Sequence, residues 1–581
     1  MASTLPQTME SSVDDLPSGT PSFSHTKERV QETKNDGFSG PASTASSLSG
    51  SHGPVPEENT HVKTGSGERA QVPPYLFGGI PLLLVKDIGG GDNWIWFISG
   101  NLLGSAAICP FVGALSDLLG RRYVAILGAL LVMVGQIVCS VAKNMNVFIG
   151  GMVASGVGAG INELTALAGT AELAPTSKRG IYIAALILSI IPWCPSVLWA
   201  QLITASSSWR YVGLLSALWA FVGLVIVACS YFPPPRINSQ GLSVKGVVAR
   251  VDFLGGLLSI GGITLFNAGL LWGGYQYAWN DAHVLATLII GAAMVVAFAC
   301  WEIWGAKYPM FPRRLGKKPR TLVLLLVITF VAGANFFAVI MLWPSQAYNV
   351  YGHDPVGVGV RGLPFAFGVL AGCVVNLLLL TWSRVGIRWL TLSASCVMTA
   401  GCGALAAATR DNIGAVYAFL FLAGVGVGGV VLPAAIASTI ICPDDLIATV
   451  TSLTLAVRVV GGAVGYTVYY NVFYSKVVPL LARHVGGAMV RAGFGPRDPL
   501  VEAVVRMTGQ AMIDEIGALP AVAAEPGLFE RLVVAGQTGF AEAYPWVYYC
   551  SIAFGGLAIV SSLFLEDISE FMDDHVAVVI R

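Results

Sequence analysis

Long apolar stretches separated by short polar turns dominate the chain from residue 94 onward. A helix needs about 20 apolar residues to cross about 30 Å of hydrocarbon, and thirteen stretches reach that length. They lie near residues 94–115, 123–142, 147–171, 181–205, 210–232, 252–274, 283–305, 321–345, 356–382, 386–409, 413–441, 449–475 and 544–565. The pattern predicts an all-α membrane protein that contains these thirteen spans.

Lysine and arginine residues alternate between the predicted loops. Every second loop is rich in them, at Arg121 and Arg122, Lys178 and Arg179, Arg236, Lys245 and Arg250, within 307–320, and at Arg384 and Arg388. The intervening loops hold little more than Lys143, Arg210 and Arg410. Because cytoplasmic loops carry the excess of positive charge, we expect the first set to face the cytoplasm.

The segment before the first long stretch is too short for the span that this orientation requires. Residues 75–85 are apolar, but as a helix they cover roughly 16 Å, about half of the hydrocarbon thickness. Three explanations remain open. The polar tail is translocated, the first span is damaged or absent behind a cytoplasmic tail, or the sequence omits an exon.

Composition agrees with a membrane protein and adds little other chemistry. The 581 residues are 55% hydrophobic and 11% charged, and the net charge of zero does not indicate nucleic-acid binding. The ten cysteines contain no CxxC pair, so neither a metal site nor a disulfide framework is predicted. Residues 1–74 are rich in Ser, Thr, Gly, Pro, Glu and Lys. Such a composition predicts a disordered tail, which we place in the cytoplasm.

The turn between the first two long stretches, residues 113–122, has an unusual composition. It reads Gly-Ala-Leu-Ser-Asp-Leu-Leu-Gly-Arg-Arg. Charged groups at a membrane boundary must be paired or solvated, so one acid and two arginines in a short turn indicate a function. The pattern Gly-x-Leu-x-Asp-x-x-Gly-Arg-Arg resembles the signature loop of the major facilitator superfamily, which lies between the second and third spans.

Other segments resemble a finer group, the fungal trichothecene efflux pumps, a fourteen-span branch that neighbours siderophore transporters. They are residues 156–164 (GVGAGINEL), 172–176 (ELAPT), 194–202 (CPSVLWAQL) and 208–211 (SWRY). The likeness covers residues 75 to about 570. It implies the major facilitator fold, in which two six-helix bundles are joined by two linking spans and both termini are cytoplasmic.

This resemblance divides the chain into five parts. After the tail, 1–74, come an N-terminal helix bundle with a truncated first span, 75–232, and a linker with two extra spans, 233–305. The C-terminal bundle covers 306–565 and includes an outer loop, 476–543, and residues 566–581 form a cytoplasmic tail.

The resemblance also implies a function. We expect a secondary active transporter of the plasma membrane that exports small hydrophobic organic compounds, such as mycotoxins, drugs or secondary metabolites, by proton-coupled alternating access. The alternatives are an importer of siderophores or other metal chelates, and a non-transporting sensor or inactive truncated product. No Gly-x4-Gly-Lys-Ser/Thr loop occurs, so we expect a proton gradient rather than ATP as the energy source. We expect no enzyme activity and no cofactor, and a monomer whose partners are its substrate and the bilayer.

The signature turn is predicted to act as a conformational latch formed by Gly113, Asp117, Gly120, Arg121 and Arg122. An aspartate at a helix junction can accept from helix N-terminal amides and pair with arginines. Breaking such a latch would allow the bundles to rock between inward-open and outward-open states. The alternative is an arginine pair that only sets the topology.

Two ionisable residues fall inside predicted spans and are candidates for proton or substrate binding. Glu163 follows Asn162 in the middle of one span, where a carboxyl group must be uncharged or paired. Arg458 lies roughly ten residues into another span and needs a partner at that depth. That partner is either an acid on another helix or an anionic substrate, unless the side chain extends to the cytoplasmic surface.

Further candidates for the substrate site are an indole and three amides, namely Trp199, Gln201, Asn267 and Asn335. Amides in spans hold helices together or bind ligands. Trp193, Phe336 and Phe337 are aromatic residues that can line a cavity for a bulky apolar compound, or can simply pack helices. Glu172 is expected to form a stabilising pair near Lys178 and Arg179.

Overall fold

The computed structural model describes residues 72–572, apart from 92, 233–245, 247–250, 275, 312–317, 353, 383–385 and the side chains of 114, 117 and 118. No β-strand occurs in this part of the chain. The predicted N-terminal tail lies outside the described residues except for its last three. These three residues are buried in the helix Val72–Phe77.

The first half of the described chain contains ten helices, of which the last two lie in the predicted linker. They are α1 (Val72–Phe77), α2 (Pro81–Ile88), α3 (Ile95–Leu119), α4 (Arg121–Val141), α5 (Met145–Leu173), α6 (Arg179–Leu188), α7 (Ser196–Ser206), α8 (Arg210–Ser230), α9 (Phe253–Trp272) and α10 (Ala282–Cys300).

The second half contains six long helices and, between the last two of them, five shorter ones. They are α11 (Pro319–Tyr351), α12 (Pro355–Trp382), α13 (Ile387–Ala404), α14 (Ile413–Ile440), α15 (Ile447–Leu481), α16 (Gly487–Arg491), α17 (Pro499–Gly509), α18 (Ile513–Ala518), α19 (Pro520–Ala523), α20 (Leu528–Ala543) and α21 (Pro545–Leu563).

Twelve helical segments of the described chain are long and apolar enough to cross a membrane. The remaining predicted stretch, 181–205, is not one helix but two, α6 and α7, joined by the short 3-10 helix Ile191–Trp193. Pro192 and Pro195 lie in this break. Proline lacks the amide proton that an α-helix needs, so these two prolines account for the break in the helix. The fourteen spans that the resemblance implies stay a prediction.

Two short helices, α1 and α2, stand where the first span was expected, and neither is long enough to cross a membrane. The chain breaks between them at Gly78 and Gly79, where an added Cβ would lie 2.6 Å from the sulfur of Met341 and 3.1 Å from Val197. Leu76 and Leu84 on either side of the break are fully buried. The break is therefore packed into the protein, chiefly against α7.

The long helices form two groups that meet along two seams. In the first group α5 packs on α3 and α4, and α8 on α4; in the second, α14 packs on α12 and α13, and α15 on α11. The groups meet where α3 contacts α15 and where α12 contacts α6 and α7. The linker helices α9 and α10 pack on each other, and α9 also contacts α15 and α3.

The predicted outer loop is largely helical. Helix α15 continues to Leu481 and is followed by the single π-helical turn Ala482–Gly486. Helices α16 to α20 fold back over this end, where α17 and α20 contact α15. Val501 and Val504 of α17 are buried, so the apolar face of this amphipathic helix is packed, while Glu502 and Arg506 on its polar face are exposed.

Candidate functional site

A cavity of about 150 Å³ lies between the two groups of helices, near the middle of the long helices. Five aromatic side chains line it, supplied by α1, by the break between α6 and α7, and by α11 and α12. They are Tyr75, Trp193, Phe336, Phe337 and Phe365. Aliphatic side chains complete most of the wall, and Glu163 and Arg458 are its charged residues.

The rings of the central cavity contact one another in an edge-to-face array. The ring centroid of Tyr75 lies 5.9 Å from that of Phe336 at an interplanar angle of 87°. Phe336 lies 5.0 Å from Phe337 and is stacked on Phe365 at 6.3 Å. Offset and edge-to-face geometries are those that aromatic rings prefer. The array places Phe336 and Phe337 of α11 beside α1 and offers ring faces to a ligand.

The charged part of the cavity is an ion pair between the two helix groups. Arg458 of α15 donates a hydrogen bond from Nη2 to Oε1 of Glu163 on α5. The two residues are only 9% and 5% exposed. The buried acid and the buried arginine are therefore partners, as one of the alternatives for Arg458 required. A pair in such surroundings is strongly coupled, because little water screens it.

Close backbone contacts hold the ion pair in place from both sides. A Cβ added to Gly333 of α11 would lie 2.1 Å from the carbonyl oxygen of Arg458, and one added to Gly160 would lie 2.6 Å from that of Ser105. Only glycine permits helices to approach so closely. The helices that carry Arg458 and Glu163 are thus fixed to their own neighbours within each group.

The ion pair lies between the central cavity and a smaller one on the predicted cytoplasmic side. Arg458 and Leu432 line both. The smaller cavity, of about 20 Å³, is also lined by Arg179 and Thr439. Arg179 is 1% exposed and donates from Nη1 to the carbonyl oxygen of Thr439 at 2.8 Å, which links α6 to α14.

Sequence reasoning missed this role of Arg179, which was counted as one more cytoplasmic loop charge. The structure buries it at the contact between the two helix groups. The sequence signal was the glycine that follows it, Gly180, because glycine permits close contact between helices. In the structure a Cβ added to Gly180 would meet Oγ1 of Thr381 at 2.4 Å and the carbonyl oxygen of Leu377 at 2.6 Å, so this end of α6 lies close to another helix.

At the signature turn, Arg121 forms an ion pair with Glu172 at the end of α5. Arg122 donates to the carbonyl oxygen of Ala228 at 2.7 Å, and its guanidinium lies 4.0 Å from the ring centroid of Phe232. The turn thus connects α4 to α5 and α8. Arg121 is a partner for Glu172 that the sequence did not indicate.

The other predicted latch residues, Gly113, Asp117 and Gly120, are located by their backbone positions. Gly120 has a φ of 85°, a conformation that glycine adopts at no steric cost. Gly113 lies inside α3, six residues before that helix ends at Leu119. Asp117 belongs to the same helix, but its side chain lies outside the described set, so its part in the latch stays a prediction.

Three of the predicted substrate residues lie away from the central cavity. Asn162 faces α4, and in the amide orientation that satisfies both groups it donates to the carbonyl oxygen of Ala125 and accepts from the amide of Ala129, each at 3.0 Å. Gln201 donates to the carbonyl oxygen of Gly79 at 2.7 Å, at the break between α1 and α2. Trp199 is 40% exposed and donates to the carbonyl oxygen of Pro192.

The two other amides also connect helices. Oδ1 of Asn267 accepts from the hydroxyl of Thr467 at 3.3 Å, which ties the linker helix α9 to α15. Oδ1 of Asn335 accepts from the hydroxyl of Tyr469 at 2.8 Å, between α11 and α15. The structure thus brings Glu163 and Arg458 to the cavity and places these amides in helix contacts.

The chain is similar to known fungal transporters over most of its length. The family described as "Fungal trichothecene efflux pump (TRI12)" matches residues 78–581. The trichothecene efflux pump TRI12 of Fusarium sporotrichioides is 27% identical over 505 residues, which cover 85% of this chain and 83% of that protein. The MFS-type efflux transporter ffsH of Aspergillus flavipes is 27% identical over 474 residues, 80% of this chain and 79% of that protein.

Solved structures with the same fold are also transporters. The human organic anion transporter MFSD10 (TETRAN) matches with a TM-score of 0.54 at 14% identity, covering 88% of this chain and all of that one. The POT family transporter PepTSo matches with a TM-score of 0.50 at 12% identity, covering 89% and 98%. At these identities the likeness concerns the fold alone, and it confirms the predicted all-α major facilitator fold.

Proposed function

The chain belongs to the fungal trichothecene efflux pump family, and from this premise we propose that it exports small, largely apolar organic compounds across the fungal plasma membrane. It is a multi-pass membrane transporter and not an enzyme. We further propose that protons drive the export and that the two helix groups alternate between inward-open and outward-open states. The observation that carries the proposal is the central cavity, with its aromatic wall and buried ion pair.

The composition of the central cavity supports an apolar substrate. Ring faces and aliphatic side chains form most of its wall, and such surfaces bind apolar compounds without strict directionality. Its volume of about 150 Å³ is below the range of roughly 300–1,000 Å³ that is usual for small-molecule sites. A bulky substrate therefore requires the helix groups to move apart, which is the motion that alternating access supplies.

The ion pair supplies a way to couple that motion to protons. When Glu163 is ionised, its attraction to Arg458 holds α5 against α15, and Arg458 stays between the central and the cytoplasmic-side cavity. A proton that binds the Glu163 carboxylate cancels its charge and weakens this contact. The protonated state then favours separation of the two groups on the cytoplasmic side, and release of the proton favours closure.

A second ion pair, at the signature turn, also bears on this motion. Arg121 and Glu172 join the start of α4 to the end of α5 at the predicted cytoplasmic surface. A charge-assisted pair of this kind favours one arrangement of the helices it connects. We propose that this pair stiffens the first helix group, so that the group moves as one body when the Glu163 contact breaks.

A dye-efflux experiment tests the proposal. Cells with and without the protein are loaded with Nile red, a neutral apolar dye, and dye retention is measured at neutral and at acidic external pH. We expect the protein to lower retention, more strongly in acid, and Glu163→Gln to remove that pH dependence. Glu530→Gln, at an exposed position of the outer loop, is the matched control.

Three results would contradict parts of this proposal. Full pH-dependent efflux by the Glu163→Gln protein would exclude Glu163 as the proton site. Higher dye retention in cells that contain the protein would exclude export and favour an importer. Equal retention with and without a correctly inserted protein, repeated with several apolar dyes, would favour a non-transporting protein.

A further inference from the structure

The outer end of the protein contains a second and much larger cavity, of about 850 Å³. We call it the outer vestibule. It is bounded by α2, by the outer ends of α11 and α15, and by α17 and α20 of the outer loop. Its volume falls within the range of roughly 300–1,000 Å³ that is usual for small-molecule sites, whereas the central cavity is below that range.

Aromatic rings form a large part of the vestibule wall. Six of them are Trp94, Tyr277, Tyr470, Phe473, Phe540 and Tyr544. Phe473 is stacked on Tyr544 with centroids 4.5 Å apart, and on Phe540 at an interplanar angle of 15°. Stacked rings held by helices on two sides form a rigid apolar surface, of the kind against which the rings of a ligand pack well.

Polar side chains of the outer loop face the same cavity. Glu502, Arg506 and Gln510 follow one another at four-residue spacing along and just after α17, and all three are exposed. The opposite face of α17, with Val504, is buried. On the other side Nε2 of Gln276 donates to Asn93 at 2.7 Å. The vestibule thus combines ring surfaces with several hydrogen-bonding groups.

Helix α11 connects the vestibule to the central cavity. Phe336, Phe337 and Ile340 line the central cavity, and Leu342 and Ser345 of the same helix line the vestibule. A compound that moved outward along α11 from the central cavity would reach the vestibule next. The outer-loop helices α17 and α20 cover this route.

We propose that the outer vestibule is a second binding site, for neutral amphipathic ring compounds that carry hydrogen-bonding oxygen atoms. The rings of the ligand pack against Trp94 and Tyr277, which are less buried than the mutually stacked rings, and its oxygen atoms accept hydrogen bonds from Arg506 and Gln510. The proposal rests on the proposed function in one respect, that the same class of compound is exported; binding itself requires no transport.

Equilibrium binding to the purified full chain tests the proposal without transport. Tritiated progesterone, a neutral fused-ring compound with two oxygen atoms, is bound to protein in detergent, and the number of sites per chain is measured by scintillation proximity. Gly509→Trp places a bulky ring inside the vestibule, because Gly509 lines it and an added Cβ there lies 3.6 Å from Leu481. Gly495→Trp, where an added Cβ meets nothing within 4 Å, is the matched control in the same loop.

We expect two sites per chain in the parent protein and in Gly495→Trp, and one in Gly509→Trp. Gln510→Trp obstructs the same space from the next position and repeats the test if Gly509→Trp elutes as an aggregate. A single site that Gly509→Trp abolishes also supports the vestibule, while it counts against binding in the central cavity. A stoichiometry that neither obstructing variant changes, or no binding at all, overturns the proposal.

Discussion

Removing one partner of the Glu163–Arg458 ion pair should destabilise the protein far more than removing both. Glu163→Gln leaves a guanidinium that is 9% exposed without its counter-charge, and Arg458→Met leaves a carboxylate that is 5% exposed. Breaking a buried pair in this way typically costs about 3–5 kcal/mol. Replacing both charges removes the uncompensated ion, and exchanges of whole buried pairs are often neutral in stability. We therefore expect the double variant to be close to the parent protein.

The measurement is the free energy of unfolding of all four proteins, purified in the same mild detergent. Tryptophan fluorescence follows unfolding in a urea titration, and the coupling energy is the double-variant change minus the two single changes. With single losses of about 3–5 kcal/mol each and a double variant close to the parent, the expected coupling is about 6–10 kcal/mol in magnitude. If the double variant lost as much stability as the sum of the single variants, to within about 0.5 kcal/mol, the two charges would not be partners in the membrane.

The double variant also separates stability from proton coupling. It carries neither the carboxylate that is proposed to bind the proton nor the guanidinium that pairs with that carboxylate. We therefore expect a folded protein whose dye retention does not change with external pH. A Glu163→Gln protein that loses transport could simply be unstable. A stable double variant with the same loss of pH dependence would remove that explanation.

Two further predictions concern packing and surface charge. Gly156→Ala should destabilise the protein by about 1–3 kcal/mol, because its Cβ would lie 2.1 Å from the carbonyl oxygen of Asn101. The control is Gly150→Ala on the same helix, where an added Cβ meets open space. It should instead stabilise the protein by about 0.5–1 kcal/mol. Equal effects of the two, measured by thermal unfolding, would contradict the contact between α3 and α5. The hydrogen bond from Arg210 holds the pKa of Asp87 below its ordinary value, so its stabilisation is present at neutral pH and is lost as the pH falls through that lowered pKa. Asp87→Asn should therefore lower the thermal midpoint at neutral pH by a small amount, as is usual for a half-exposed pair, and this difference should vanish in acid; a difference that persists in acid would contradict the assignment.

The spans could be predicted from the sequence because a bilayer imposes one simple requirement on each of them. About 20 apolar residues in a row are needed whatever the neighbours are. Twelve of the thirteen predicted stretches each overlap one helical segment that is long and apolar enough to cross a membrane. The exception, 181–205, is apolar enough but contains Pro192 and Pro195. Hydropathy measures only transfer into lipid, so it does not register the missing amide protons that break the helix there.

The site could be predicted in part. Glu163 and Arg458 were identified singly, because a charge inside an apolar stretch is expensive wherever it points. Their pairing could not be identified, since 295 positions separate them and helical periodicity carries no information about which helices meet. Asn267 and Asn335 show the converse limit, because an amide in a span has the same sequence signature whether it binds a ligand or another helix.

The contacts between the two helix groups differ in chemistry along the membrane normal, and this difference bears on the direction of transport. On the predicted cytoplasmic side they include the Glu163–Arg458 pair and the bond from Arg179 to Thr439. On the predicted outer side they include the edge-to-face contact of Trp94 with Tyr470 at 5.7 Å. Separating the two groups on the predicted cytoplasmic side breaks the Glu163–Arg458 pair, which a proton on the carboxylate would weaken, whereas separating the ring contacts exposes surfaces that a bound ring compound can cover. For the proposed export, proton binding would thus open the side where substrate enters, and the substrate itself would stabilise the side where it leaves.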